Sequence, residues 1–304
     1  MRLISHRTSA YKRMIVATSV FAMFLLPVFA SDARASDARW YVGLNVPVMF
    51  IDDSDSVERG EVPQVSGSSI PYTADAVNSY KTGFRVSGTL GYEFGSGFRV
   101  DGEVFFGRAA IGDLTYKGRT TTVSGLGTID IEGDHPIDVS GSANQLGGMV
   151  NVWYDFNAGS RWRPYVGAGI GVVSVDWGDV EYDRNEVAQG AANELAVLQA
   201  QARTPNFASL PPATQEGIRQ GAIRGAQLPP GTVPELSGTD TVFAYQLGAG
   251  MGYEVTNAVT VQVGYRLLKA NQLEFTGRSA MGATATATTE MLVHLFEIGV
   301  RYRF

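Results

Sequence analysis

Eight separate stretches of the chain alternate apolar and polar residues with a period of two, and the last of them sets the pattern. Within residues 290–304, Leu292, Phe296, Ile298, Val300, Tyr302 and Phe304 fall on one face of an extended strand, and Glu297, Gly299, Arg301 and Arg303 fall on the other. A soluble sheet buries its apolar face and wets its polar one. Here the apolar face ends in aromatics, as on a barrel strand whose outside meets lipid. The same alternation predicts strands over 40–50, 83–94, 98–107, 145–156, 164–175, 242–255 and 259–268. Pro47 lacks an amide donor and predicts a bulge or a loosened ladder in the first of these. Connections after the second, fourth and sixth stretches are short, whereas 51–82, 108–144, 176–241 and 269–289 are long. An even count with alternating connection length predicts an all-β fold, an eight-stranded antiparallel up-and-down transmembrane β-barrel with long external loops. Trp40, Tyr92, Phe94, Phe98, Tyr154, Phe156, Tyr253, Tyr302 and Phe304 would then form an aromatic girdle at the end holding both termini.

Eight strands enclose a lumen that side chains can fill. The inward positions carry Arg85, Arg99, Arg266, Arg301 and Arg303 together with Glu93, Asp101, Glu103, Asp155, Glu254 and Glu297. Opposed charges tolerate a confined interior, so the expectation is a plugged lumen held by ionic and hydrogen-bond contacts. The alternative is that the same groups line a narrow water path. Gly167, Gly169 and Gly171 and Gly248, Gly250 and Gly252 would lie side by side in the simplest register. The bare wall they leave makes room for a large residue such as Trp153 or an Arg. A phosphate-binding reading of residues 167–171 fails, because no helix follows within the strand pattern.

Composition changes the picture at the N-terminus. Arg2, Arg7, Lys12 and Arg13 precede the apolar run 14–26 and the small-residue sites at Ala30 and Ala35. That is the layout of a secretory signal peptide over residues 1–30, with cleavage as late as residue 35. The run is shorter than the ~20 apolar residues of a spanning helix. Removing this segment takes four basic and no acidic side chains, which makes a chain of net charge −6 still more acidic and a poor partner for nucleic acid. At a lipopolysaccharide surface, acidic groups work more readily through divalent cations. The chain has no Cys, so disulfides and thiolate-bound metal are excluded. The domain expectation is a barrel over 36–304 interrupted by an external insertion, 176–241.

The first long connection is acidic, with Asp52, Asp53, Asp55 and Glu58, but Glu58 occupies the sixth position where a calcium loop needs glycine. In the third, Val187, Ala191, Leu195, Leu198 and Ala202 recur with helical spacing ahead of Pro205, and a second short helix is expected around 218–222. This external helical hairpin is either a partner-binding element or filler over the barrel. His135 and His294 are the histidines beyond the signal, and no Ser or acid is evident on the same face beside His294. The expectation is a protein that is not an enzyme, with no cofactor, metal or catalytic residues.

The ending Ile298, Val300, Tyr302 and Phe304 resembles the C-terminal assembly signal of Gram-negative outer-membrane barrels, which implies recognition by the barrel-assembly machinery and periplasmic chaperones. Residues 98–103, 151–156, 164–171 and 297–304 resemble the opacity-porin and rickettsial-type surface-antigen families of the OmpA-like barrel superfamily. No peptidoglycan-binding domain follows, so a wall-anchoring role does not carry over. The resemblance implies a surface antigen or adhesin in the outer membrane, in contact with its lipids and lipopolysaccharide, meeting a host or surface ligand through external loops. A small porin is the alternative. A lipid A-modifying enzyme is the remote one.

Overall fold

The computed structural model describes residues 39–304 apart from 64–68, 118, 124–126, 132–133, 157–159, 178–180, 183, 229–233 and 235. The expected signal peptide lies outside the described residues. In chain order the strands are β1 (Arg39–Ile51), β2 (Ser54–Pro63), β3 (Ser69–Tyr80), β4 (Gly83–Glu93), β5 (Phe98–Tyr116), β6 (Arg119–Val123), β7 (Gly127–Ile131), β8 (His135–Ser140), β9 (Ser142–Asp155), β10 (Trp162–Asp176), β11 (Glu181–Tyr182), β12 (Leu236–Ser237), β13 (Thr239–Glu254), β14 (Val259–Arg278) and β15 (Thr284–Arg303).

The eight alternating stretches are β1, β4, β5, β9, β10, β13, β14 and β15, each antiparallel to its neighbour in that cycle. The ring closes where β15 returns to β1, from Tyr41 opposite Arg303 to Ile51 opposite Val293. Closure matters because an open edge would leave backbone amides and carbonyls without partners in hydrocarbon. Val42, Leu44, Val46, Val48 and Phe50 are exposed on β1, whereas Tyr41, Asn45 and Met49 are buried inside, and every barrel strand repeats this division. At Pro47 the β1–β4 ladder is interrupted between the pairs Asn45 with Ser87 and Val48 with Phe84, while the register is unchanged. The missing amide thus loosens the ladder without a bulge.

The tight turn at 95–97 is built as expected. Gly97 has φ of 89°, and its amide bonds to the Phe94 carbonyl at 3.1 Å. The girdle is built too: Trp40 meets Tyr92 at 5.3 Å between ring centroids, Tyr92 meets Phe94 at 5.0 Å, and Phe98 meets Tyr154 at 4.9 Å. Trp162, which the sequence reading left out, joins it against Tyr253 at 4.7 Å.

Three of the four long connections depart from expectation. A membrane strand needs ~10 residues, yet β14 and β15 have 20 each, so both continue past the membrane as a hairpin. β2 and β3 pair with each other and insert between the outer halves of β15 and β5, carrying the wall upward above the ends of β1 and β4. β8 extends β5 on its other side, and β11 pairs with β8. On β3 and β15 the inward positions of this upper wall are small, such as Ala76, Ala285 and Ala287, so no strong apolar alternation marks them there. In the third connection the expected helices form over Arg184–Arg203 and Pro212–Gly225. Gln189 ties them together: its Nε2 donates to the Ala226 carbonyl at 3.0 Å and its Oε1 accepts from the Leu228 amide at 2.7 Å.

Candidate functional site

The lumen has two tiers. In the half nearest the termini, Arg266 donates from Nη1 to Glu103 at 2.7 Å and from Nε to Glu297 at 3.0 Å. Arg99 grips both oxygens of Asp155 at 2.9 Å each, a bidentate pair that fixes orientation as well as charge. Arg301 lies 3.6 Å from Asp155. Arg303 bonds to Glu254 and lies 3.6 Å from Glu93. Arg163 reaches Glu93 at 2.6 Å and Glu254 at 2.8 Å. It was missed because the fifth stretch was begun at Pro164, one residue too late, although period two places 163 with the inward 165 and 167.

Two of the inward charges are held otherwise than by an ion pair. Asp101 is held by neutral donors: Tyr41 Oη at 2.6 Å, Asn151 Nδ2 at 2.7 Å and Trp153 Nε1 at 3.0 Å. Arg85 is 1% exposed, yet none of its guanidinium nitrogens has a hydrogen-bond partner among the described residues. The group instead stacks on the Phe105 ring, 3.2 Å from its centroid, a cation–π contact. Arg85 faces the second tier, where Met49, Phe105, Met149, Leu268, Met291 and Leu295 pack into an apolar plug. The ionic plug of the sequence reading is therefore only the lower half of the seal.

The glycine triplets are offset. Only Gly167 and Gly248 lie opposite each other, whereas Gly169 meets Gln246 and Gly250 meets Tyr165. The bare wall is used as expected for Trp153, whose ring lies across it: a Cβ on Gly167 would meet Trp153 Cε3 at 2.3 Å.

At the outer rim, His294 stands on the lipid-facing side between two partners, Tyr265 Oη at 2.7 Å from Nδ1 and Asp52 Oδ1 at 3.0 Å from Nε2. The Asp52 carboxylate accepts from Nε2–H, and the Nδ1 hydrogen bond to the tyrosine completes the chain of three side chains. This corrects the reading that no acid stands beside His294. Asp52 comes from the residue just past β1 and is far away in sequence. Farther out, burial pushes the Tyr80 hydroxyl up to about 12, so it remains a neutral group at 3.5 Å from Ser54 Oγ.

A closed eight-stranded cylinder with an apolar outer wall, an aromatic belt and a filled lumen defines an outer-membrane β-barrel surface protein of the Gram-negative type. The chain belongs to the family described as the outer membrane protein beta-barrel domain, whose model matches residues 17–304. It is 22% identical over 218 residues to outer membrane protein PagN of Salmonella typhimurium, covering 71% of this chain and 70% of that one. Among solved structures it is similar to OprG from Pseudomonas aeruginosa, at 11% identity over 90% of this chain and 100% of that one, TM-score 0.45. Neisserial surface protein A is similar at 14% identity over 88% and 99%, TM-score 0.35.

Proposed function

We propose that this barrel is an anchor for an external interaction surface of the surface-antigen or adhesin type, and that the insertion 176–241 carries the contact. The observation that carries this reading is the two-tier seal. A lumen filled by ion pairs below and by Met, Leu and Phe above offers solutes no passage, so activity belongs outside the membrane. The closer affinity to rickettsial-type surface antigens rests on residues 98–103, 151–156, 164–171 and 297–304, together with the long helical third connection. In the same reading residues 1–30 are an export signal cleaved after Ala30 or Ala35. The barrel-assembly machinery and periplasmic chaperones recognise Ile298, Val300, Tyr302 and Phe304. Lipopolysaccharide surrounds the outer rim, and a host or surface ligand meets the helices.

A non-enzymatic role is favoured at His294 by the strand ladder itself. His294 is paired with Phe50 on β1 and Leu267 on β14, so the flanking amides are spent on sheet bonds and cannot stabilise an oxyanion. His294→Ala is expected to leave lipid A unchanged by mass spectrometry. The central test replaces residues 184–228 with a short Gly-Ser linker and measures adherence of bacteria displaying the barrel to epithelial monolayers and matrix proteins. Adherence should fall to the level of cells lacking the protein while the barrel remains folded. Full adherence without the helices would overturn the assignment of the contact to them.

A further inference from the structure

The outer edge of the lipid-facing wall is not uniform. On β14 and β15 its basic side chains are paired, Lys269 with Glu290 and His294 with Asp52. On the β4–β5 side they are not. Arg108 is exposed on the outward face of β5, opposite Phe84. Lys81 is exposed in the break between β3 and β4, where its amide donates to the Ala110 carbonyl at 2.9 Å. Neither side chain has an ion pair or a hydrogen bond among the described residues. The two are diagonal neighbours across one ladder, a spacing that long side chains bridge, so both cations reach one ligand.

The surface beneath them is apolar. Phe84 and Phe106 face outward with ring centroids 6.5 Å apart, 53% and 40% exposed, and Leu146 lies opposite Phe106 on β9. Long basic side chains at such a boundary lay their stems on apolar surface and carry the charge to its polar side. An unpaired guanidinium there offers a forked donor that fits a phosphate, and an ammonium adds a point charge. Acids stand to either side: Asp53, whose charge reaches the Tyr80 hydroxyl next to Lys81, and Asp176, two strands from Arg108 beyond Asn144. They confine the patch to one phosphate by repelling a second anion.

We propose that Lys81 and Arg108 hold one phosphate of a phosphorylated glycolipid of the lipid A type, with Phe84, Phe106 and Leu146 against its acyl chains. The glycolipid is the occupant because this end of the barrel, which carries the long connections, meets the outer leaflet. A free phosphate would gain nothing from the aromatic floor. The site rests on the placement of this wall in the outer membrane and does not depend on the adhesive role of the helices.

The test titrates the refolded barrel in detergent with diphosphorylated lipid A and counts bound lipid by native mass spectrometry, with heat-modifiable migration verifying closed barrel. The unsubstituted protein should retain one lipid A saturably. The double variant Lys81→Gln/Arg108→Gln should lose about tenfold or more in affinity, and Phe84→Ala/Phe106→Ala should weaken binding as well. Lys269→Gln, on the paired side of the rim, should leave it unchanged. Lipid A stripped of its phosphates should not bind saturably, and neither inorganic phosphate nor phosphatidylglycerol should displace the intact glycolipid. A closed double variant that binds like the unsubstituted protein, or an equal loss in Lys269→Gln, would overturn the site. Displacement by inorganic phosphate would reduce it to an anion site, and displacement by phosphatidylglycerol to a general phospholipid contact, and either overturns the glycolipid assignment. Because the folded band reports the barrel separately, a failed titration of closed barrel counts against the site alone.

Discussion

Arg266 and Arg85 are buried guanidinium groups in one lumen, and they differ in what surrounds them. Arg266 satisfies two carboxylates, Glu103 and Glu297. Arg266→Met takes the bonded cation from both, and breaking a buried pair from one side costs about 3–5 kcal/mol. The urea midpoint of the refolded variant should fall accordingly. Arg85 hydrogen-bonds to neither among the described residues and stacks on the face of Phe105. Because an unpartnered buried charge is a cost to the fold, Arg85→Met should leave the midpoint unchanged or raise it. A loss in Arg85→Met as large as in Arg266→Met would mean that Arg85 has a partner in solution. Gly167→Ala probes the wall. Its Cβ would meet Trp153 at 2.3 Å and the Val152 carbonyl at 2.5 Å, an overpacking worth about 1–3 kcal/mol. The expected result is a lower melting temperature and a changed Trp153 emission.

Among elements, the barrel strands were legible and the upper wall was not, for one physical reason. Lipid imposes a uniform apolar demand on one face, so Leu44, Val46 and Val48 must alternate with Asn45 and Met49 around Pro47, and the period is plain. Above the membrane that demand stops. Ala285, Ala287 and Thr289 face inward, between Thr286 and Thr288, and small residues on both faces carry no contrast to read. In the lumen the charged positions were legible from parity alone, Arg163 excepted. Their partners were not, since pairing depends on register and on how far each side chain reaches across. Asp101 drew three neutral donors and no arginine hydrogen bond among the described residues, and Asp52 reached His294 from the far end of β1. The helices in 176–241 were legible from their spacing, and their independence from the barrel follows from their ties being largely to each other through Gln189. Excision of residues 184–228 should therefore preserve heat-modifiable gel migration with little change in melting temperature. Loss of the folded band would show that the hairpin supports the wall.

At the scale of the whole molecule, the apolar outer surface, the girdle and the closed ladder fix the protein in the outer membrane, and the filled lumen turns it outward. The two tiers seal by different physics. The ionic tier is held by charge-assisted bonds between strands such as β9 and β5. The apolar tier is held by close packing of Met49, Leu268 and Leu295, all of which are fully buried. A solute would have to break both. Planar-bilayer conductance of refolded residues 36–304 tests this most directly, with heat-modifiable migration verifying that the inserted material is closed barrel. The expected record is silent across moderate voltages and salt concentrations. Stable steps whose ion selectivity changes with charge reversal at Glu103 would contradict the sealed lumen and make the barrel a small porin.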